Sequence, residues 1–289
     1  MLVSTDVFET GIGKIYGNWQ PYLEKSFLTE VQTLEDGRNF KEVSDIENEL
    51  NQLLKMEYQE FLQLIKDTPE FFCEEEIDIF DEEFRSIEPN STTIDVVHQK
   101  GLWHQTFACW LVNPKENIVF LQLRGKKNRI GPNTFDASAS GHLSAGEKPI
   151  EGFREAEEEL GKNLNLHDIV FLGINRNVII QGTYINREFC HVYMAKTEND
   201  LKDFQLEDGE VVGLFKLDIN QGIKLFSNEI SSIKITGIVW DEQSYKIQTR
   251  EITQQNFCSY HDRVNISGYY LKIMMMAERY VSNTPPYRI

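Results

Sequence analysis

Three glutamates near the middle of the chain, Glu155, Glu158 and Glu159, have the side-chain type and spacing of a metal site. On a helix, residues at i, i+3 and i+4 lie on one face, so these carboxylates are expected close together. Like charges at such spacings repel one another, and a hard divalent cation such as Mg²⁺, which takes oxygen ligands, relieves that repulsion. An acidic run of this kind, taken alone, is also typical of a solvated surface helix.

The flanking residues predict how the glutamates are positioned. Pro149 suits the first turn of a helix and Gly161 suits the position just past its end, so a helix is predicted between them. A glycine-rich turn at Gly141 is expected to lead into this helix. Arg154 is the internal counter-charge, because its planar guanidinium can pair with a carboxylate through two hydrogen bonds.

This ordered array resembles the signature of the Nudix hydrolases, which runs as glycine, five residues, glutamate, seven residues and then R-E-apolar-x-E-E-x-G-apolar. In this chain the spacing between the single glutamate and the arginine is six residues rather than seven, and Lys162 stands where an apolar residue is usual. The resemblance covers about residues 76–245. The matching residues are Gly141, Glu147, Arg154, Glu155, Glu158, Glu159 and Gly161.

The resemblance implies a fold, a cofactor and a reaction. The fold is an α/β class, a Nudix-like α/β/α sandwich with a mixed sheet. The cofactor is Mg²⁺ or Mn²⁺, and the reaction is hydrolysis of a diphosphate linkage in a nucleoside-diphosphate-type or other organic diphosphate. The metal ligands it implies are Glu155, Glu158, Glu159 and the backbone at Gly141.

Further roles follow from the same resemblance and from general acid–base chemistry. Glu158 is the first choice for the base that takes the proton of the attacking water. Arg154 orients the carboxylates, and Glu147 supports the turn on the substrate side or an outer metal. Glu188, at the start of a predicted strand, is a further catalytic candidate, and Glu210, in a late loop, is a weaker one.

A basic loop over 124–129 lies just upstream of the carboxylates in an otherwise acidic chain. Guanidinium and ammonium groups bind phosphate oxygens, so Arg124 and Lys126 are candidate substrate-binding residues. Arg124 is preferred because it lies at the end of a predicted strand. The alternative is a solvated loop with no role in binding.

A second resemblance is to the isopentenyl diphosphate isomerase branch of the same fold, through the sequence WHQTF from Trp103 and the approach to His142. That branch carries an essential cysteine before the histidine, where this chain has Ser138, Ala139 and Ser140. The missing thiol favours hydrolysis, with isomerisation of a prenyl diphosphate as the alternative. His104 and His142 are candidate ligands of an isomerase-like metal site, or else structural. A further alternative is a non-catalytic ligand sensor of Nudix fold, although such domains usually lose the glutamates.

Composition narrows the class of protein. The net charge of −17 and pI of about 4.8 disfavour general binding to nucleic acid, whose phosphates the surface would repel. No run approaches the ~18–20 apolar residues of a membrane span, and no signal peptide is recognised at the N-terminus. The four cysteines are scattered, which indicates buried free thiols and a reducing, cytoplasmic location.

Three regions are predicted along the chain. Residues 1–75 form a helical N-terminal extension, with helices over about 20–34 and 44–66, that packs on the main domain or forms a homodimer. Residues 76–245 form the Nudix domain, and residues 246–289 form a C-terminal helical segment. Within the main domain, strands are predicted over 77–84, 101–112, 118–124, 135–140, 169–172, 178–180, 188–194 and 211–217, with a loop over 86–92 and helices from 219 onwards.

Overall fold

The structure is a computed structural model that describes residues 75–289, except 127, 129, 162–163, 182–183, 207–208, 242 and 259–267. The predicted N-terminal helices therefore lie outside the described residues. Among the described residues, no helix combines the length and the apolar character needed to cross a bilayer. The elements are β1 (Glu76–Phe80), β2 (Ser86–Thr93), α1 (Ile94–Lys100), β3 (Trp103–Asn113), β4 (Ile118–Arg124), β5 (Phe135–Asp136), β6 (Ala139–His142), α2 (Phe153–Leu160), β7 (Leu166–Gln181), β8 (Tyr184–Thr197), β9 (Val211–Asp218), α3 (Ile219–Phe226), β10 (Ile233–Trp240), β11 (Tyr245–Ile252) and α4 (Tyr269–Val281), with short 3₁₀ helices at Leu201–Asp203 and Gln254–Asn256.

The described strands form one mixed sheet that is organised around β3. β1, β6 and β4 pair with successive parts of β3 in antiparallel fashion, while β8 runs parallel to it over 103–112. β9, β10 and β11 continue the sheet beyond β4, and β7 pairs with β8. The long β3 is buried almost throughout, which agrees with its run of apolar residues.

Helices cover both faces of this sheet, which confirms the predicted α/β/α sandwich. On one face, Ala108, Trp110 and Val112 of β3 pack in a large apolar cluster with α3 and α4. On the other face, Phe107 and Leu111 pack with Ala156 and Leu160 of α2. Alternation along one strand thus feeds two cores, because successive side chains point to opposite faces.

One predicted loop is a strand. Residues 86–92 form most of β2, which pairs antiparallel with β1, so the loop predicted from Pro89-Asn90 is wrong. β2 lies at the end of the strand order, where a proline is tolerated because its missing N–H is not needed by a neighbour. The following helix α1 has no counterpart among the predicted elements.

The predicted helix over 149–161 is shorter than its sequence suggests. α2 begins at Phe153, because the N–H groups of 153–155 bond to carbonyls three residues back, as in a 3₁₀ turn, rather than four. Gly141 lies within β6, opposite Phe107, and not in a turn as predicted. The turn comes later, at Ala145-Gly146.

The region after residue 219 contains strands as well as helices. β10 and β11 form an antiparallel hairpin, with Ile233 and Ile235 buried and Lys234 exposed between them. This period-two pattern indicates a strand, and the prediction of helices alone is wrong there. Likewise β7 is one strand where two were predicted. The predicted boundary after residue 245 falls inside β11, and the division into domains stays a prediction.

A buried hydroxyl links the two central strands and provides a test of the fold. The Ser138 hydroxyl donates to the carbonyl of Phe120 at 2.6 Å and accepts from the N–H of Leu111 at 2.8 Å. We expect Ser138→Ala to lower the free energy of unfolding by about 1–3 kcal/mol, because a buried N–H loses its partner. Urea denaturation measures the change, with the exposed Ser86→Ala as the control; equal stability of the two variants would contradict this assignment.

Candidate active site

Strand β6 brings Gly141 against the carboxyl group of Glu155. β6 pairs with β3, and α2 packs on the same side of the sheet through Ala156 and Leu160. A Cβ atom built on Gly141 would overlap the Glu155 carboxyl group, so this close approach requires glycine. The structure therefore brings together two of the predicted metal-site residues, one through its backbone and one through its side chain.

Arg154 lies among several acceptors and joins the loop to the helix. Its Nε and Nη2 donate to the two carboxylate oxygens of Glu147 at 2.8 and 3.0 Å. Its Nη1 lies 2.9 Å from Oε1 of Glu155 and 3.2 Å from Oε2 of Glu158. Nη2 also donates to the carbonyl of His142 at 3.1 Å. Glu147 thus reaches Arg154 even though one residue fewer separates them than in the signature.

The three glutamates of α2 differ in their exposure. The Glu155 side chain is 14% exposed and the Glu158 side chain 59% exposed. Glu159 is 3% exposed, and its Oε2 accepts from the N–H of Ser140 at 3.0 Å. Two carboxylates therefore lie against β6, and the third, Glu158, lies at the solvent edge, held by Arg154.

The pKa of the Glu155 carboxyl group is raised to about 7. Burial is the main cause; the charges of Glu158, Glu75 and Glu210 also raise the pKa, whereas the charge of Arg154 lowers it. Arg154 is the cation in direct contact with it, at 2.9 Å from Oε1. A group of carboxylates with so little positive charge fits a hard divalent cation, which prefers oxygen ligands. The candidate ligands are Glu155, Glu158, Glu159 and the backbone at Gly141.

The basic loop places Arg124 near the same helix. Its Nη2 donates to Asn128 Oδ1 at 3.0 Å and its Nε donates to the carbonyl of Ile130 at 3.1 Å, so the loop fixes the guanidinium. Its Nη1 lies 3.8 Å from Asp136 Oδ2, and the charge of Glu159 also acts on it. Lys126 is exposed on the loop. The remaining basic residues of the loop, 127 and 129, lie outside the described residues.

Three histidines meet on the other face of β6. His98 of α1, His104 of β3 and His142 of β6 have candidate ligand nitrogens that all lie within 4.8 Å of one another. Burial lowers the pKa of His104 against the opposing charge of Glu188, which keeps the imidazole in the neutral form that binds metals. No hydrogen-bond partner is found for its Nε2 among the described residues.

Sequence reasoning named two of these histidines and missed the third. No motif marks His98 in the sequence; it lies six residues before His104, but the helix α1 that carries it was not predicted, and His142 is distant along the chain. Three imidazole nitrogens so close together fit a divalent ion with affinity for imidazole, such as Zn²⁺, Mn²⁺ or Fe²⁺.

The two reserve candidates for the base lie in different places. Glu188 pairs in register with His104, and its carboxylate oxygens accept from Asn177 and Asn186 at 3.1 and 2.7 Å, so it belongs to the histidine side. Glu210 acts electrostatically on Glu155, and its carbonyl accepts from the N–H of Gly125 at 2.7 Å. Of the two, Glu210 is therefore the one placed beside the α2 carboxylates.

Comparisons with known proteins find similar sequences and structures. The NUDIX domain family matches residues 102–232. The chain is 34% identical over 206 residues to an uncharacterized Nudix hydrolase of Clostridium acetobutylicum, covering 71% of this chain and 97% of that protein. It is 32% identical over 120 residues to Nudix hydrolase 3 of Arabidopsis thaliana, covering 40% of this chain but only 16% of that protein. Among solved structures, a crystal structure of a Deinococcus radiodurans protein is similar at 18% identity and a TM-score of 0.39, covering 53% of this chain and 90% of that one.

The raised pKa of Glu155 predicts how stability depends on pH without metal. Between its ordinary value near 4.5 and about 7, the folded protein holds more protons on this group than the unfolded chain does. Stability conferred at low pH is therefore lost as pH rises through this window. We expect Glu155→Gln to be more stable than the wild type at pH 8, by about 2–3 kcal/mol, and equally stable at pH 4.

Chemical denaturation in EDTA at the two pH values measures this difference. Glu157→Gln is the matched control, because Glu157 is exposed on the same helix. A Glu155→Gln variant that is less stable than the wild type at pH 8 would show that the carboxylate is stabilised, not strained, in the metal-free site.

Proposed function

We infer the reaction from a premise that the comparisons establish: this chain belongs to the Nudix hydrolase family, enzymes that act on acid anhydrides. We propose that it hydrolyses a diphosphate linkage in a nucleoside-diphosphate-type or other organic diphosphate, with Mg²⁺ or Mn²⁺ as cofactor. The observation that supports this most is the Glu155 carboxyl group, buried against Gly141 among three further carboxylates. A cytoplasmic location and a homodimer stay predictions from the sequence.

In this proposal the α2 carboxylates hold the metal and Arg154 fixes their positions. Glu155, Glu158 and Glu159 would hold a divalent ion, whose chemistry when bound would be to polarise diphosphate oxygens and to make a water more acidic. The two bonds from Arg154 to Glu147 lock the guanidinium, so its Nη1 holds Glu155 and Glu158 at a fixed separation. Such preorganised charges lower the barrier because they need not rearrange during the reaction.

The proton of the attacking water requires a base with a pKa near the working pH. The sequence favours Glu158 for this role, and that assignment stays a prediction. Glu155 is placed instead as a metal ligand, because its carboxyl group is buried against Gly141 and a bound cation would keep it ionised. We therefore keep Glu158, at the solvent edge, as the proposed base.

Arg124 and Lys126 would contact the phosphates. Arg124 is held by the loop through Asn128 and Ile130, and its charge lies within the influence of Glu159. A guanidinium fixed beside the metal carboxylates suits a phosphate that bridges cation and metal. Lys126 is exposed, and as a flexible point charge it suits the outer end of the substrate.

Hydrolysis is tested with a panel of organic diphosphates in Mg²⁺ and Mn²⁺. We expect the wild type to release a monophosphate or phosphate, and Glu155→Gln to lower kcat by about 10- to 100-fold or more, as the loss of a metal ligand does. Glu157→Gln should stay within about twofold of the wild type, because that side chain is exposed away from the site. A wild type that releases no phosphate from the panel, or a fully active Glu155→Gln variant, would refute the proposal.

A second candidate function is favoured by the histidine cluster. Two buried imidazoles and one half-buried imidazole, with Glu188 beside them, resemble the metal site implied by the isomerase branch, and a prenyl diphosphate would then be isomerised without release of phosphate. Against it, Ser140 stands near the position of the essential cysteine. The nearby thiol of Cys190 is no substitute, since burial raises its pKa well above the ordinary value.

The histidine cluster predicts a second metal site whichever reaction occurs. We expect the protein to bind Co²⁺ with the absorption spectrum of imidazole ligation, and His104→Asn to weaken binding by about 10-fold or more, as one lost ligand would. His167→Asn, in β7, is the matched control. Co²⁺ absorption that is unchanged in His104→Asn would contradict the site. Conversion of a prenyl diphosphate without phosphate release would favour isomerisation over hydrolysis.

A further inference from the structure

The loop between β6 and α2 links the catalytic residues but has little regular structure of its own. It runs over 143–152. It contains Glu147 and leads into the start of α2, so it positions Glu147, Arg154 and Glu155. Inside the loop, the N–H of Ser144 bonds to Glu147 Oε2 at 2.8 Å and the N–H of Glu147 bonds back to the carbonyl of Ser144 at 2.9 Å. These bonds close the turn locally but do not attach it to the sheet.

Apart from Leu143, whose N–H donates to the carbonyl of Gln105 on β3 at 3.3 Å, the loop is attached to the sheet by β1, which precedes the region matched by the family. The carbonyl of Glu76 accepts from the N–H of Ala145 at 2.8 Å, and Oδ2 of Asp78 accepts from the N–H of Gly146 at 2.9 Å. Ile77 forms an isolated antiparallel bridge with Ser144. Two consecutive N–H groups of the loop are thus bonded to one strand.

β1 is a rigid support for these bonds. Ile77 and Ile79 are almost completely buried, and both pack with Val97 of α1. β1 also pairs with β3 at Ile79↔His104 and along its length with β2. Hydrogen bonds to such a strand restrain the loop, because their acceptors lie on a strand that is itself held by the core.

The backbone conformation of Gly146 directs its N–H toward Asp78. Its φ of +78° is in the left-handed region, which directs its N–H in a way that an ordinary residue would adopt only with strain. A carboxylate acceptor forms a stronger hydrogen bond than a neutral one does. Asp78 therefore holds the loop at its most unusual backbone position.

The contacts continue from β1 to the catalytic arginine. The Ser144 hydroxyl donates to Oε1 of Glu75 at 3.3 Å, and Nη2 of Arg154 lies 3.4 Å from the same hydroxyl. Ser144 is in turn bonded to Glu147, which pairs with Arg154 through two bonds. The geometry points to β1 as the positioning element of the catalytic loop, with Asp78 as its positioning residue; this rests on the proposed hydrolase function.

The shortened spacing of the signature explains why the loop needs support from β1. With six residues rather than seven between Glu147 and Arg154, the loop has less freedom to reach the arginine by its own geometry. Bonds from outside the loop then hold it where the two side chains meet. Asp78 does not touch the reacting atoms and acts only through the loop.

The test compares Asp78→Ala, Asp78→Ser and Asp78→Asn with the matched control Glu76→Gln. Glu76 lies on the same strand, but its carboxylate accepts from Ser91 of β2, so its side chain does not hold the loop. We expect the alanine and serine variants to lower kcat about 10- to 100-fold with KM within about threefold, since small misplacements are costly in catalysis. The asparagine variant retains an acceptor and should recover most of the activity.

Hydrogen exchange of the Gly146 amide gives a readout that does not need activity. We expect exchange to be at least about tenfold faster in Asp78→Ala or Asp78→Ser, and unchanged in Glu76→Gln, because only the former lose the partner. Unchanged exchange, or faster exchange with wild-type kcat, would overturn the inference.

The failure of the proposed function is distinguishable from failure of this inference. If the wild type hydrolyses no diphosphate, the proposed function fails, and Mg²⁺ titration by calorimetry then carries the test. We expect Asp78→Ser to bind Mg²⁺ about tenfold more weakly than Glu76→Gln, since a displaced loop misplaces the α2 carboxylates. Equal affinities would overturn the role of β1. Thermal denaturation identifies any variant that does not fold, and the serine variant replaces the alanine variant in that case.

Discussion

The burial of the Glu155 carboxyl group against Gly141 is the constraint on which the site depends. Burial alone raises its pKa, and the neighbouring carboxylates add to the cost of ionising it. The fold bears this cost because β6 and α2 are both fixed by apolar packing, through Phe107, Ala156 and Leu160. Arg154 offsets part of the charge, and a divalent cation would offset the rest. A site that is strained without its ligand is typical of sites kept for function rather than for stability.

Strand β6 explains how two kinds of candidate metal site arise so close together. Gly141 and His142 are neighbours on the strand, so they present opposite faces of the sheet. The carboxylates lie on the side of α2, whereas the imidazoles lie with α1 on the other side. The carbonyl of His142 accepts from Arg154, which connects the two sides through one peptide group.

The fold and the site were predictable from the sequence where the signal is local. The spacing of Arg154, Glu155, Glu158 and Glu159 predicts a helix that carries carboxylates, and apolar runs predict β3, β4, β8 and β9. Prediction from local sequence fails where contacts with neighbouring strands determine the secondary structure. β2 contains Pro89 and forms a strand only because β1 lies beside it. β10 has a period-two pattern that indicates a strand, yet helices were predicted for the whole region after residue 219.

Side-chain positions that the tertiary fold sets could not be predicted from the sequence. His98 packs its ring against those of His104 and His142, and although His104 is only six residues away, no spacing in the chain indicates the contact with His142. The placement of Glu188 on the histidine side follows from the parallel register of β3 and β8. The reach of Glu147 to Arg154 across a shortened spacing depends on backbone bonds in the loop.

The most direct measurement of the central claim is a crystal structure with Mn²⁺, located by its anomalous scattering. The account predicts a peak about 2.2 Å from carboxylate oxygens of α2, including Glu155, and beside the backbone at Gly141. Crystals that diffract well, hold Mn²⁺ at millimolar concentration and show no peak within coordination distance of Glu155 or Glu158 would contradict it.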